Sequence, residues 1–198
     1  MGLELEYRDG QTPLEEEEKS GLRIRLITNR GELDEYEQQN IEIAIQWILG
    51  RSFKPDAVFT ETFIRNIHKR MYSEVWSWAG EFRKSQKTIG VDFWKISIEL
   101  RKLLEDARYW YENNTYPPDE MALRFKHRIV SIHCFSNGNG RHSRLMADII
   151  IEKLYEKAVF SWGAAKLSKS SDARKEYLKA VKAADTGDYS LLLAFARS

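Results

Sequence analysis

The chain has 198 residues, with 31 Lys and Arg against 30 Asp and Glu, giving a formal charge of +1. That length suits one well-packed domain with room for a short arm. The near-zero charge gives no general pull towards nucleic acid or anionic membrane, so any basic site must be local. The single cysteine, Cys134, excludes an intrachain disulfide and suits a reducing compartment. With no apolar run of membrane-spanning length and no basic-then-apolar start, the expected location is the cytoplasm, with no membrane partner.

Residues 1–31 read as a polar, acidic arm. Thr12 before Pro13 is placed to cap a short helix whose first turn holds Glu15, Glu16, Glu17 and Glu18, since anions suit a helix N-terminus. The helical period begins near Asp34, which with Glu37 resembles a capping box. Ile41, Ala44, Ile45, Ile48 and Leu49 then line one face, and Gly50 ends the helix. Phe59, Phe63, Ile67 and Met71 follow at four-residue steps as a buried stripe. Residues 74–94 break the pattern with Trp76, Trp78, Gly80, Gly90 and Trp94, and read as an aromatic loop with a hairpin. Ile96, Leu100, Leu103, Ala107 and Trp110 restore helical spacing up to Asn113-Asn114. Pro117-Pro118 starts the next helix, with Ala122, Phe125, Ile129 and Ile132 on its buried face. Leu145, Ile149, Ile150 and Leu154 mark a further central helix, and two more are expected near 171–184 and 188–196. No internal repeat interrupts this series. The expectation is one mostly helical domain over 32–198 behind the arm.

Chemistry concentrates in His133-Cys134-Phe135-Ser136-Asn137-Gly138-Asn139-Gly140-Arg141-His142-Ser143-Arg144, which joins two buried helices. A glycine-rich turn feeding a helix aims N–H groups outward as a nest for an anion. Arg141 and Arg144, three apart in the first turn, can converge on that anion, for which a di- or triphosphate is the natural occupant. Two cations there oppose the helix dipole, a conflict that a bound anion resolves. His133, at the other lip, can take a proton from an incoming hydroxyl. Phe135 should point into the core. Cys134 with His133, His127 and His142 lacks the paired spacing of a zinc site.

This stretch resembles the signature of the Fic family, H-P-F-x-(D/E)-G-N-G-R-x-x-R, at His133, Phe135, Gly138, Asn139, Gly140, Arg141 and Arg144. Seven fixed positions, each matched by chance about once in twenty, make the likeness specific. His68, Trp78-Ala79-Gly80 and Arg83 are also similar to the family's helix and the approach to its flap, so the resemblance spans about 35–160. The arm and the asparagine variant resemble a bacterial subgroup called mobile mystery protein B. The resemblance implies an all-α Fic fold, a helical bundle with a small β-hairpin flap. It implies ATP with Mg²⁺, and transfer of AMP to a Tyr, Thr or Ser hydroxyl of a target protein. His133 would be the base, the backbone of Gly138, Asn139 and Gly140 the anion hole, and Arg141 and Arg144 the phosphate clamp. Residues 86–92, with Lys87, Thr88, Ile89 and Gly90 at their centre, would be the flap that holds the target as an added strand.

Two departures qualify that picture. Asn137 stands where the family has Asp or Glu to hold Mg²⁺ and is the candidate metal residue, since its amide oxygen can still ligate a hydrated Mg²⁺, but it brings no charge to a cation that prefers anionic oxygens. No segment fully matches the family's inhibitory (S/T)-x-x-x-E-(G/N) helix, whose glutamate pairs with the second arginine, here Arg144. Thr12 to Glu16 has the spacing, but Glu17 follows. Inhibition by the arm and restraint by an antitoxin-like partner both stay open. So do transfer of another phosphate-containing moiety and a non-catalytic nucleotide-binding module. Nucleic acid is not an expected partner.

Overall fold

The computed structural model describes residues 13–163 and 170–198. A short α1 (Glu16–Lys19) is closed by Glu15, and Glu18 returns to the Glu15 N–H at 2.8 Å. The acidic turn is therefore helical as expected, while Thr12 lies outside the described residues.

The next helix, α2 (Arg30–Leu49), begins earlier than the capping-box reading of Asp34 and Glu37 implied. Asn29 accepts from the Glu32 N–H at 3.1 Å and Glu32 returns to the Thr28 N–H at 2.8 Å, so the box is one turn upstream. Asp34 instead pairs with Arg30. Glu37 is buried, on the stripe formed by Leu33, Ile41, Ala44 and Ile48. Leu49, expected on that face, is exposed; Gly50 ends the helix.

After α3 (Pro55–Val58), α4 (Glu61–Tyr72) starts on Thr60, whose hydroxyl accepts from the Phe63 N–H at 3.1 Å. Its buried face carries Phe63, Ile64, Ile67, His68, Met71 and Tyr72. A short 3-10 turn (Phe93–Lys95) leads into α5 (Ile96–Glu112), followed by α6 (Pro118–Ile132) and α7 (Asn139–Ile149), which continues in widened turns through Ile150–Leu154. α8 (Ser170–Asp185) and α9 (Ser190–Ala196) pack together and reach α6. There Asp185 Oδ1 lies 2.8 Å from His127 Nε2, and Tyr189 Oη lies 3.2 Å from Nδ1. α6 and α7, the two helices that flank the motif, pack along each other in the centre.

The β-hairpin flap is not formed. Among the described residues the one β-type contact is an isolated bridge between Leu22 and Trp76. The backbone of 83–91 spends its hydrogen bonds elsewhere. Arg83 N–H donates to the Cys134 carbonyl at 2.9 Å, Val91 N–H to the Ile132 carbonyl at 3.3 Å, and the Arg83 guanidinium to the carbonyls of Ser85 and Val91. With these groups satisfied by the motif loop and by one side chain, no cross-strand ladder is left to close a hairpin. No helix among the described residues is long and apolar enough to cross a membrane.

Candidate functional site

His133 ends α6 in the left-handed conformation, with φ 58° and ψ 61°. For a residue with a Cβ this costs about 1–2 kcal/mol, and the surroundings hold it there. The Arg83 Nε donates to the His133 carbonyl at 2.7 Å, and a Cβ added to Gly90 would lie 2.5 Å from the His133 Cβ. Gly90, at φ 94°, is thus the residue that lets the loop approach the imidazole. Burial first, and then the charges of Arg83 and Lys87, pull the His133 pKa down to about 4. This is lower than a near-neutral base; the ring is neutral, and so able to accept a proton, throughout the physiological range.

The loop after His133 is clasped from inside. Asn139 Nδ2 donates to the Phe135 carbonyl at 2.7 Å and its Oδ1 accepts from the Phe135 N–H at 2.9 Å. Phe135, fully buried, stacks on His68 with ring centroids 3.7 Å apart. The Gly80 N–H donates to His68 Nδ1 at 3.0 Å, so the ring proton sits on Nε2 and is donated to the Asn137 carbonyl, also at 3.0 Å. His68 is therefore the post that carries the turn. Cys134 is fully buried and its thiol is pushed up to about 12 by burial, which makes it no nucleophile.

The turn delivers the chain into α7 with Gly138 as N-cap and no side chain capping the helix. The amides of the first turn thus keep the helix end open for an acceptor. Of the backbone expected to form the anion hole, the Gly138 N–H is already given to Asn137 Oδ1 at 2.7 Å. The sequence-expected clamp is also divided. Arg141 is ion-paired with the buried carboxylate of Glu37 on α2, which accepts from Trp76 Nε1 at 2.6 Å through its other oxygen. The Arg144 guanidinium carbon lies 5.8 Å from the ring centroid of Tyr177 on α8. The two arginines do not meet one group here.

Glu37 is the residue that sequence reasoning missed. Its signal was position: four residues after Leu33 and four before Ile41, it puts a carboxylate on an apolar stripe, which needs a buried cationic partner.

Asn137 was expected to hold Mg²⁺. Its Oδ1 serves Gly138, its carbonyl serves His68, and its Nδ2 is shielded with no partner among the described residues. No group of three or more His, Cys, Asp or Glu able to hold a metal occurs among the described residues. The donors at Asn137 are neutral and do not by themselves fit a divalent cation.

The arm sits on the expected target-docking segment. Lys87, buried, donates to Glu18 Oε2 at 2.6 Å and to the Pro13 carbonyl at 3.1 Å, and Ser85 Oγ donates to Glu18 Oε1 at 2.9 Å. Burial opposes the Glu18 charge, but Lys87, the Glu15 N–H, Ser136 and Ser85 hold its carboxyl below the usual range. Thr88, Ile89 and Gly90 remain exposed, and Gly90 lies beside His133. Glu16, the acid of the Thr12 spacing, is exposed and bonded to Lys19 at 2.6 Å, so the described arm sends no carboxylate to the motif arginines by that route. A cleft of about 590 Å³ runs between the arm and residues 81–86, just before the docking segment, and reaches Ser136.

The Fic/DOC family model matches residues 58–151. A protein adenylyltransferase Fic of Drosophila mojavensis is 24% identical over 192 residues, 94% of this chain and 36% of the relative. One of Aedes aegypti is 26% identical over 148 residues, 72% of this chain and 30% of the relative. The chain thus spans about a third of the length of the curated relatives it matches. The N-terminal FIC domain of Bep8 from Bartonella sp. 1-1C superposes with a TM-score of 0.65 at 15% identity, covering 85% of this chain and 86% of that one. BepC of Bartonella tribocorum, crystallised with bound AMPPNP, gives 0.65 at 16% identity, covering 86% and 87%. At such identities the likeness establishes the fold.

Proposed function

From the match of the Fic/DOC family model to residues 58–151, we propose that this chain is a protein adenylyltransferase that moves AMP from ATP to a Tyr, Thr or Ser hydroxyl of a target protein. The observation that carries the reading is His133, neutral at physiological pH, at the lip of an uncapped helix N-terminus. Its imidazole takes the hydroxyl proton as the target oxygen attacks the α-phosphorus of ATP. The new O–P bond forms while the bond from that phosphorus to the bridging oxygen breaks, and pyrophosphate leaves in line. The first-turn amides of Asn139 and Gly140, with Arg141 and Arg144, hold the charge that grows on the phosphates. A Mg²⁺ ion accompanying ATP would neutralise phosphate charge, but it would meet only the neutral Asn137 on the protein side.

In this reading residues 1–31 are a regulatory arm, 32–198 the catalytic domain, and Thr88-Ile89-Gly90 beside His133 the place where the target backbone docks. The arm and the asparagine variant support the mobile mystery protein B subgroup, the single Cys134 suits a cytoplasmic setting, and an antitoxin-like partner is the alternative to control by the arm. The neutral donors at Asn137 favour a second reading, a nucleotide-binding module with little turnover.

Incubation with α-labelled ATP, followed by intact mass of the modified protein, tests the proposal. Added AMP that disappears in His133→Ala is expected. Equal label in both proteins, or an added phosphate in place of AMP, would overturn it.

A further inference from the structure

Tyr72, the last residue of α4, is 1% exposed, and its hydroxyl is shielded with no hydrogen-bond partner among the described residues. An unpaired buried hydroxyl is destabilising, and phenylalanine would fill the same space without it. The hydroxyl lies against the motif turn. A Cβ added to Gly138 would be 2.6 Å from Tyr72 Oη and 2.5 Å from its Cζ. Gly138 is the residue from which α7 starts, so this phenol borders an open helix N-terminus. The Arg141 guanidinium carbon stands 5.2 Å from the ring centroid. Asn137 Nδ2, one residue before Gly138, is a second shielded donor with no partner among the described residues. The charges that act on Tyr72 come from Arg141, Glu37, Arg144 and Arg30, three cations and one acid. Two idle donors and several guanidiniums around one helix end form an anion receptacle that Glu37 fills in part.

We propose that the Tyr72 hydroxyl binds a phosphate anion at the N-terminus of α7, donating its hydrogen to a phosphate oxygen that takes over Arg141 from Glu37. Within the nucleotide-transfer reading, on which this identification rests, the anion is the polyphosphate of the donor nucleotide. The phenol is a donor across the working range, because burial and Glu37 raise its pKa against the lowering pull of the arginines. Since Tyr72 and Glu37 both meet Arg141, Tyr72 recognises the phosphates that Arg141 takes over, beyond the one that is transferred. It therefore separates nucleoside di- and triphosphates from monophosphates.

The test titrates the full chain and Tyr72→Phe with AMPPNP, inorganic pyrophosphate and AMP by calorimetry, beside thermal unfolding without ligand. Tyr72→Phe should unfold at the same or a higher temperature. It should bind AMPPNP and pyrophosphate about tenfold more weakly, the worth of one hydrogen bond to a charged acceptor, with AMP binding unchanged. Equal pyrophosphate and AMPPNP affinities in both proteins would overturn the role of Tyr72, as would an equal loss for all three probes with a lowered unfolding temperature, which marks packing alone. If wild type binds pyrophosphate but not AMPPNP and Tyr72→Phe loses it, the anion site stands and the nucleotide reading falls. Absence of binding by wild type to any probe would remove both.

Discussion

Replacing Glu37 by glutamine separates the two functions of a buried pair. Glu37 is fully buried, accepts from Trp76 through one oxygen and holds Arg141 through the other. Glutamine keeps the volume and the acceptor for Trp76 but presents a neutral amide to the guanidinium. Arg141 is 27% exposed in its side chain, so the released charge reaches water and the cost stays below that of a fully buried orphan, at about 2 kcal/mol. For a chain of this size that lowers the unfolding midpoint by about 4–8 °C. The same release frees a guanidinium for phosphate, and one charge-assisted hydrogen bond is worth about 1.5–3 kcal/mol. Nucleotide affinity should therefore rise about 10- to 100-fold. Calorimetric titration with AMPPNP, with thermal unfolding in parallel, reads both quantities. A lowered midpoint with unchanged AMPPNP affinity would refute the reasoning and leave the pair as scaffold.

Three further outcomes follow from the same geometry. His133 and His142 are each held near a pKa of about 4 by burial, below the ordinary value of 6.5. Their contribution to stability is therefore complete above about pH 6.5 and is lost as pH falls towards 4, by about 3 kcal/mol for each. Urea midpoints across pH 4–8 should show that acid-side fall and a plateau above it; a flat profile would contradict neutral buried imidazoles. Gly90→Val places a branched side chain against the His133 Cβ, only 2.5 Å from where its own Cβ must sit. Label transfer should drop about 100-fold or more with little change in circular dichroism, and undiminished transfer would mean that the loop does not position the base. Lys87→Met removes the cation that meets Glu18 at 2.6 Å. Leaving that buried carboxylate without its cation, with Ser85 and the Glu15 N–H still donating to it, should cost about 3 kcal/mol and make residues 13–22 more sensitive to limited proteolysis. Unchanged cleavage would show that the arm is held by Trp78, whose Nε1 donates to the Glu18 carbonyl at 2.9 Å, and by the backbone bonds Arg23 N–H to Val75 and Ser77 N–H to Gly21 alone.

Much of the fold was legible because its signals are local. The stripes of α4, α5 and α6 follow from apolar residues at helical spacing, and the Pro117-Pro118 start and the Gly50 stop are single-residue effects. The box that starts α2 was misplaced because Asn29 with Glu32 and Asp34 with Glu37 share one spacing, and only packing puts Glu37 inside. The hairpin failed for a related reason. The aromatics and glycines in 74–94 describe what a segment can do alone, whereas the Arg83 side chain and, from elsewhere in the chain, the carbonyls of Ile132 and Cys134 absorb its backbone groups.

The motif from His133 to Arg144 was readable as a unit, since its members are consecutive and a turn between two helices brings them together without help. Sequence alone determined the succession of helices, that chemistry-bearing segment and the absence of charge in Asn137. Tertiary structure decided what each group faces: His133 buried under Gly90 and lowered in pKa, Arg141 turned to Glu37, and Lys87 folded under the arm. The physical reason is distance along the chain. Helix periodicity and turn chemistry act over a few residues, but desolvation and charge pairing depend on partners tens to a hundred positions away, which only the packed core brings into contact.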